Sequence, residues 1–328
     1  MTTVLIPKVF HWIWFGDKPL PEQHQRWISH WLQLHPGWKH RLWTDVNRPT
    51  FTNEEQFRSA DSFAQKADIA RYEIVFRHGG VYLDTDMECI RSIETLLGDV
   101  KAFIAAEKPD SLEQLGIGIL GATPGHPWMS ELIAKLPQAM KIGFRIVDQT
   151  GPLFASSVTA GFPGVTIFPE RLFRHEGRRP AEETYAVHHG AKSWHQAGQS
   201  KYDAKLREFV TNEIEPIIPP GALFILVDKG RGIEINGGRR FVPFPEHGGQ
   251  WGGYPVDDAA AIEELERLRR AGAQFIVFPA PMFYWLDAYP LFRDYLYANA
   301  RSTISNDRAL IFDLSRDVLP ERGEHAPR

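Results

Sequence analysis

One stretch, ADIARYEIVFRHGGVYLDTD from Ala67 to Asp86, limits the folds open to this chain more than any other. Its first half repeats apolar residues near helical spacing and predicts an α-helix. Gly79 and Gly80 predict the end of that helix, because glycine adopts the left-handed backbone that closes many helices. The β-prone residues 81–83 predict a short strand before the acids that follow. A helix followed by a buried strand is the repeating unit of an α/β fold.

Two carboxylates, Asp84 and Asp86, follow the predicted strand directly. In an extended segment, residues i and i+2 point to the same side, so the two acids converge and repel each other unless a cation lies between them. Mg²⁺ and Mn²⁺ take oxygen ligands and often share them with substrate phosphates. Because open α/β sheets bind ligands at the carboxyl ends of their strands, this edge is a candidate metal–diphosphate site. A polar turn that only closes the strand is the alternative for an isolated Asp-x-Asp.

The preceding helix adds two charged residues to this candidate site. Asp68 and Arg71 are three residues apart and share one helix face. They are hypothesised to reach the same pocket, Asp68 as an acceptor of sugar hydroxyl protons and Arg71 as a cation near the phosphates. The alternative is a surface ion pair of little energetic value.

A second chemical cluster, YAVHHGAKSWHQ, runs from Tyr185 to Gln196. Its histidines are compatible with Mn²⁺ ligation, because neutral imidazole is a borderline metal ligand. Lys192 beside a leaving diphosphate would stabilise the developing charge. Paired histidines in an ordinary polar loop are the alternative.

These segments resemble the sugar-binding region of the DXD-containing glycosyltransferases. That family includes the yeast initiating α-mannosyltransferases, bacterial capsular polysaccharide transferases and, more distantly, the clostridial glucosylating toxins. Its pattern of Asp-x-x-Arg, Gly-Gly and Tyr-Leu-Asp-x-Asp is present at Asp68, Arg71, Gly79, Gly80, Tyr82, Leu83, Asp84 and Asp86. The opening segment also resembles the family's first strand, with matches at Ile6, Pro7, His11, Trp14 and Gly16.

The resemblance implies a role for each matching residue. It implies a metal held by Asp84, Asp86 and His188, where the distance to the Ser-Trp pair favours His188 over His189. It implies donor contacts from Trp14, Asp68, Arg71, Tyr82, Asp84, Ser193 and Trp194. Catalytic contributions are implied for Asp68, Arg71, Asp86 and Lys192. Relatives commonly carry an asparagine near Gly116 and Gly118, so one contact to the donor sugar stays unassigned.

The resemblance also implies a GT-A type domain with a mixed, mainly parallel sheet. The implied activity is transfer of a hexose, with retention of anomeric configuration, from a UDP- or GDP-linked sugar to a glycan or glycolipid acceptor. The implied cofactor is Mn²⁺ or Mg²⁺, and the bacterial relatives point to polysaccharide biosynthesis. Two competing hypotheses are a non-catalytic protein that binds sugar nucleotides or glycans and a sugar-nucleotide diphosphate hydrolase.

A fresh series of helices and strands begins after the histidine cluster and predicts a second domain. The predicted organisation is a GT-A-like catalytic domain at 1–202, a smaller α/β accessory module at 203–316 and a disordered tail at 317–328. The aromatic run 283–285 with Asp287 is hypothesised to line an acceptor groove. Equally, it is the start of an aromatic helix packed into its own sheet.

Composition limits the cellular setting. The net charge of −4 over 328 residues gives no general attraction to nucleic acid. Cys89 is the only cysteine, so no intrachain disulfide can form, which suits a reducing cytosol. The N-terminus lacks a basic leader, and no apolar run has bilayer length. We therefore expect a cytoplasmic protein without a transmembrane segment. Peripheral association with a membrane is compatible with this expectation.

Overall fold

The computed structural model describes residues 5–107, 115–143, 145–160, 162–175, 181–190, 204–205, 207–228 and 240–315. The chain divides into two compact units, residues 1–202 (the N-terminal unit) and residues 203–328 (the C-terminal unit). The catalytic and accessory roles foreseen for them stay predictions. The tail foreseen at 317–328 lies outside the described residues.

The N-terminal unit alternates helices and strands along the chain. Its helices are α1 (Glu22–Leu34), α2 (Glu54–Ser59), α3 (Phe63–His78), α4 (Glu94–Leu97), α5 (Pro127–Ile142), α6 (Ile146–Gln149) and α7 (Pro152–Ala160), with a 3₁₀ turn at Glu170–Leu172. Its strands are β1 (Val9–Ile13), β2 (Lys39–Trp43), β3 (Gly80–Leu83), β4 (Met87–Cys89), β5 (Ala102–Ala106), β6 (Leu115–Ala122), β7 (Thr166–Phe168), β8 (Phe173–His175) and β9 (Ala186–His188).

The main sheet of this unit has six strands in the order β2-β1-β3-β6-β5-β7. Strands β2, β1 and β3 are parallel, and β5 and β7 are parallel to each other. Strand β6 runs antiparallel to both of its neighbours. The α/β class with a mixed, mainly parallel sheet is therefore confirmed. A separate small sheet has the order β4-β9-β8.

Hydrophobic cores lie on both faces of the main sheet, because its central strands alternate their side chains between the two faces. On β3, Val81 and Leu83 join the core that contains Trp31 of α1, whereas Tyr82 joins the core that contains α3 and α5. Strand β3 is therefore fixed in register from both sides, and so is the chain that leaves its end.

Helix α3 begins and ends where its sequence signals lie. The Ser62 side chain accepts a hydrogen bond from the backbone N–H of Gln65, which caps the N-terminus. Gly79 and Gly80 have φ of 62° and 94° and turn the chain into β3. A Cβ on Gly79 would lie 2.6 Å from Pro124 Cδ, so a side chain at this turn would clash. The helix-to-strand connection thus depends on glycine for both conformation and space.

The C-terminal unit has its own five-stranded sheet in the order β11-β10-β14-β16-β15. Its strands are β10 (Leu223–Leu226), β11 (Arg240–Pro243), β14 (Ala273–Pro279), β15 (Ser302–Ser305) and β16 (Ala309–Asp313), with a hairpin of β12 (Glu246–His247) and β13 (Gln250–Trp251). Its helices are α8 (Asp258–Arg270), α9 (Tyr284–Ala288) and α10 (Pro290–Asn299), with a π turn at Val210–Ile214 and a 3₁₀ turn at Ala280–Met282. Strands β11, β10 and β14 are parallel.

The aromatic run at the start of α9 contributes mainly to packing. Trp285 is fully buried, and Phe283 and Tyr284 are half-buried. The hypothesis that Trp285 lines an acceptor groove is therefore wrong, because its ring packs against Phe244 and Tyr254. Asp287 is exposed. Among the described residues, no helix combines the length and apolar character needed to cross a bilayer.

Candidate metal and donor site

The two acids of the Asp-Thr-Asp motif bracket a tight turn between β3 and β4. The backbone N–H of Met87 donates to the Asp84 carbonyl at 3.2 Å, so residues 84–86 are turned rather than extended as the sequence predicts. The turn still brings Asp84 and Asp86 together, because the chain reverses between them. Their side chains are 25% and 14% exposed, so both carboxylates remain accessible at the end of β3.

His188 reaches these acids through strand pairing. Strand β9 pairs antiparallel with β4 and places His188 opposite Met87. The His188 Nε2 atom lies 3.2 Å from Asp86 Oδ1 and 3.6 Å from Asp84 Oδ2. Burial lowers the pKa of His188, but the hydrogen bond to Asp86 and the charges of both acids outweigh burial, so the pKa is raised.

His189 has different neighbours from His188. Its Nε2 lies 3.0 Å from Glu88 Oε2, and its ring stacks on Trp27 with centroids 4.2 Å apart. Within the described residues, Asp84, Asp86 and His188 form the group whose ligand atoms all lie within 4.8 Å of one another. The structure thus places His188, rather than His189, beside the two acids.

Gly118 of β6 allows Asp84 and His188 to pack closely against the backbone of the main sheet. A Cβ at this position would lie 3.0 Å from Asp84 Oδ2 and 3.1 Å from His188 Cε1. Any larger residue would therefore push against two of the three ligand groups. From the sequence, Gly118 is notable only because relatives commonly carry an asparagine near this position. Its role depends on the antiparallel pairing of β3 with β6, which no local pattern reveals.

Asp68 and Arg71 form a buried ion pair behind the acids rather than the surface pair considered as the alternative. Arg71 Nη2 donates to Asp68 Oδ1 at 2.8 Å, and their side chains are 5% and 8% exposed, respectively. Arg71 Nη1 also donates to Asp84 Oδ1 at 3.2 Å and to the Ile117 carbonyl at 2.6 Å. The guanidinium therefore compensates two carboxylates and fixes the orientation of Asp84.

Thr150 completes the surroundings of Asp68. Its hydroxyl donates to Asp68 Oδ2 at 2.9 Å. Burial raises the pKa of Asp68 to about 6, with the Asp84 charge adding to it and Arg71 and Thr150 opposing it. The pKa of Asp68 is therefore raised by burial even though the Arg71 cation lies beside this carboxylate.

Tyr82 supports Asp84 from the strand itself. Its hydroxyl donates to Asp84 Oδ1 at 2.6 Å, and the Arg71 guanidinium lies 4.5 Å from the centre of its ring. Burial raises the pKa of Tyr82 well above its ordinary value, so the hydroxyl stays protonated and remains a donor. Tyr82 and Arg71 together hold Oδ1 of Asp84, which leaves Oδ2 on the side of His188.

The remaining residues foreseen for the site differ in what the structure says of them. Trp14 is half-buried just after β1, where its Nε1 donates to the Lys18 carbonyl and its ring meets His24 edge-on. Lys192, Ser193 and Trp194 lie outside the described residues. The donor-binding and catalytic roles of all these residues stay predictions.

Residues 21–103 match the family described as "Glycosyltransferase sugar-binding region containing DXD motif". The N-terminal unit thus contains a region that matches the DXD-containing glycosyltransferases. The matched range includes the helix α3, the glycine turn and both acids of the motif. This glycosyltransferase region is thus the part of the molecule in which the Asp-Thr-Asp turn and the Asp68–Arg71 pair are found.

Several relatives of the glycosyltransferase region come from yeasts. Mannosyl phosphorylinositol ceramide synthase CSH1 of Saccharomyces cerevisiae is 33% identical over 164 residues, which cover 47% of this chain and 42% of CSH1. Inositol phosphoceramide mannosyltransferase 1 of Schizosaccharomyces pombe is 30% identical over 209 residues, covering 58% of this chain and 62% of the relative. The chain spans about half the length of the curated relatives it matches.

Solved glycosyltransferase structures are similar at low sequence identity. The PaToxG glycosyltransferase has 14% identity and a TM-score of 0.39, over 47% of this chain and 69% of that chain. A glycosyltransferase involved in glycosylation of the major capsid of PBCV-1 has 12% identity and a TM-score of 0.37, over 55% of this chain and 93% of that chain.

The side chains present fit a hard divalent cation. Two carboxylates and one imidazole supply the oxygen and nitrogen ligands that Mn²⁺ accepts, and Mg²⁺ shares the preference for carboxylate. Gly118 lets Asp84 and His188 approach the backbone of β6 without a Cβ between them. Tyr82 and Arg71 orient one ligand from behind, which is the usual function of groups that surround metal ligands.

Proposed function

We propose that this chain transfers a hexose from a nucleotide diphosphate-sugar to an acceptor hydroxyl, with Mn²⁺ or Mg²⁺ bound by Asp84, Asp86 and His188. The convergence of these three side chains at the carboxyl end of β3 is the observation that carries the proposal. When bound there, a divalent cation supplies Lewis-acid stabilisation to the leaving diphosphate.

The chain's own residues then divide the remaining tasks. Asp84 and Asp86 hold the cation, and Arg71 and Tyr82 keep Asp84 in position. We assign the donor sugar to the region of Asp68. Lys192, Ser193 and Trp194 are assigned to the diphosphate, and Trp14 to the nucleoside. The sequence singles out no covalent nucleophile, so a same-face displacement assisted by the diphosphate, with retention of configuration, is the proposed course.

The names of the relatives favour a particular donor and acceptor class. The yeast proteins are named for mannosyl transfer and for inositol phosphoceramide. We therefore propose a mannosyl or related hexosyl donor, linked to GDP or UDP, and a glycolipid or glycan acceptor. A cytoplasmic location with peripheral membrane association would give such an enzyme access to a lipid acceptor.

A panel of donors tests this proposal. Purified protein is incubated with UDP-glucose, UDP-galactose or GDP-mannose, each with Mn²⁺, Mg²⁺ or EDTA, and released nucleotide diphosphate is measured. The panel is repeated with inositol phosphoceramide in detergent, and with free sugars as alternative acceptors. The matched control is Asp86→Asn, which keeps the size of the side chain but removes its charge.

The outcomes separate the competing functions. Metal-dependent nucleotide release that increases with an acceptor, together with a glycosylated product, supports a transferase. Nucleotide monophosphate as the product would instead indicate a diphosphate hydrolase. Donor binding without any product would indicate a binding protein, and equal activity of Asp86→Asn would contradict the proposed metal site.

A further inference from the structure

One face of helix α1 contacts the metal-binding turn and its neighbours at three successive points. His24, Trp27 and Trp31 are spaced i, i+3 and i+7, so they lie along one side of the helix. Each of the three contacts a different residue next to a proposed metal ligand. We name the surface formed by these three side chains the α1 face.

The first contact is with the middle residue of the Asp-Thr-Asp turn. His24 Nδ1 lies 2.9 Å from Thr85 Oγ1, within hydrogen-bond distance. Thr85 is buried, so its hydroxyl has little access to water and depends on this partner. The other side of the imidazole meets Trp14, with ring centroids 5.8 Å apart. His24 therefore joins the turn to the predicted nucleoside side of the site.

The second contact is with the residue after the histidine ligand. Trp27 stacks on the His189 ring with an interplanar angle of 9°. The Nε2 atom of the same imidazole lies within hydrogen-bond distance of Glu88 Oε2. Glu88 belongs to β4 and His189 directly follows β9. The stack and the hydrogen bond together fix the end of β9, and therefore the backbone direction at His188.

The third contact is with the first residue of β4. Trp31 is fully buried, and its Nε1 donates to the Met87 carbonyl at 2.9 Å. Met87 directly follows Asp86 and is paired with His188 across the small sheet. This indole therefore anchors the strand segment that separates two of the proposed ligands.

We propose that the α1 face is a positioning surface that holds the Asp-Thr-Asp turn and His188 in the arrangement that binds metal. This inference rests on the proposed metal site and adds the residues that determine its affinity. Neither the α1 face nor Thr85, its partner in the turn, touches the metal in this proposal. They act through the turn and through β9, so removing one of them lowers metal affinity while leaving the three ligands in place.

The Thr85 hydroxyl gives the sharpest test, because Thr85→Val removes it with little change of shape. The dissociation constant for Mn²⁺ alone is measured by electron paramagnetic resonance on the full-length protein. We expect Thr85→Val to raise it about tenfold or more, in the range found when groups supporting metal ligands are removed. Thr85→Ser retains a hydroxyl and should recover most of the affinity. Thr52→Val, at an exposed threonine, is the matched control and should not change it.

His24 supplies a second variant, at the other end of the same hydrogen bond. His24→Asn can keep a polar atom near the position of Nδ1, whereas His24→Ala cannot. We expect His24→Ala to weaken Mn²⁺ binding and His24→Asn to restore part of the loss. Because His24 and Thr85 act through one hydrogen bond, the double variant His24→Ala/Thr85→Val should lose less affinity than the two single losses added together.

The outcomes distinguish this inference from the proposed function. If the wild-type protein binds no Mn²⁺, or binds it equally well after Asp86→Asn, the metal site itself is wrong. If wild type binds Mn²⁺ through Asp86 but Thr85→Val and His24→Ala bind it as tightly as wild type, only the positioning role is overturned. Urea denaturation of each variant, with an unchanged midpoint, separates a local loss of affinity from general destabilisation. If Thr85→Val proves less stable than wild type, the test rests on Thr85→Ser and His24→Asn. The proposal is then overturned if these two variants bind Mn²⁺ as weakly as Thr85→Val and His24→Ala do.

Discussion

The carboxyl ends of parallel strands are occupied differently in the two units. At the end of β3, the N-terminal unit gathers two carboxylates and an imidazole, with a buried arginine behind them. At the ends of β11 and β14, the C-terminal unit gathers aromatic rings, including Phe244 and Trp285 at 5.9 Å. The positions are equivalent in architecture, yet one gathers three candidate metal ligands, whereas the other gathers aromatic rings and, after β10, the buried Asp228.

This difference shows that the sheet edge alone does not make a site. In the N-terminal unit, buried charge is tolerated because each charged group has partners, and two of the acids remain partly exposed. In the C-terminal unit, rings that pack against each other stabilise the fold and leave the edge without such a group of ligands among its described residues. Function is therefore assigned from the side chains at the edge and not from the fold.

Removal of the buried cation should have the largest effect. Arg71→Met leaves Asp68 and Asp84 without their shared partner, so we expect the free energy of unfolding to fall by about 3–5 kcal/mol. Arg267→Met in the C-terminal unit is the matched control. Arg267 itself is 47% exposed, although its partners Glu246 and Glu264 are 15% and 16% exposed, so water can replace much of its ion pairing and its loss should cost at most about 1 kcal/mol. Urea denaturation measures both, and equal losses would contradict the contrast between the units.

The buried histidine on β1 should make stability depend on pH. The pKa of His11 is lowered to about 4, mainly by burial and also by the charges of His78 and Arg41, although the hydrogen bond to Gly79 opposes this shift. Between pH 6.5 and 4, His11 therefore binds a proton in the unfolded chain but stays neutral in the native state. The stabilisation is fully present above pH 6.5 and is lost as pH falls towards 4, by roughly 3 kcal/mol in total.

The variant His11→Gln isolates this contribution. Glutamine does not titrate, so its free energy of unfolding should fall less steeply than that of wild type between pH 7 and pH 4. Urea denaturation across this range gives the slope of the free energy of unfolding against pH for each protein. Subtracting the slope of His11→Gln from that of wild type cancels the contributions of the other histidines, which both proteins share. Identical slopes for His11→Gln and wild type would show that His11 is not held neutral.

Removal of one acid should affect turnover more than folding. Asp86→Ala deletes a proposed ligand that is 14% exposed, so we expect nucleotide release to fall at least about a hundredfold if the metal supplies several kcal/mol. Asp84→Ala should behave in the same way. Asp287→Ala, at an exposed acid of the C-terminal unit, is the control and should retain wild-type release. Near-normal release by Asp86→Ala would remove the metal from the mechanism.

The two neighbouring histidines should differ in the same direction. His188 lies beside the acids, whereas His189 bonds Glu88 and stacks on Trp27. We therefore expect His188→Ala to weaken Mn²⁺ binding more than His189→Ala does. A titration of Mn²⁺ into each variant gives the order, and a stronger loss in His189→Ala would place the ligand one residue further along.

The sequence predicts those parts of the N-terminal unit that local signals determine. The helix predicted to end at Gly79 and Gly80 and the strand predicted at 81–83 are found as α3 and β3, because periodicity and glycine act within a few residues. The Asp-Thr-Asp motif was placed at a strand end for the same reason. The extended shape expected for its two acids was wrong, since the chain turns there to begin β4.

Contacts between distant segments account for what the sequence did not reveal. The spacing of Asp68 and Arg71 predicts a shared helix face, but burial of that face depends on packing against β3 and Thr150. The need for glycine at 118 arises from its strand partner, and the contact of His24 with Thr85 joins residues 61 positions apart. Such pairs leave no periodic trace in one sequence, so they could not have been foreseen from it.

The smallest effect is expected at the aromatic edge of the C-terminal unit. The Tyr284 hydroxyl lies 3.3 Å from that of Tyr254, and both side chains are half-buried. Tyr284→Phe removes one weak hydrogen bond and keeps the ring, so the free energy of unfolding should fall by about 1 kcal/mol or less. Nucleotide release from the donor should be unchanged, because the proposed metal ligands all belong to the N-terminal unit.

The same variant also tests what remains of the acceptor hypothesis after the burial of Trp285. If Tyr284→Phe transfers sugar to the acceptor as well as wild type does, the aromatic edge serves packing, as the contrast between the units implies. A loss of transfer to acceptor with normal nucleotide release and normal stability would break that contrast, because hydroxyl groups at the aromatic edge would then take part in acceptor binding. Steady-state assays with varied acceptor concentration, which separate KM from kcat, decide between these outcomes, since a packing role alone would leave both constants unchanged.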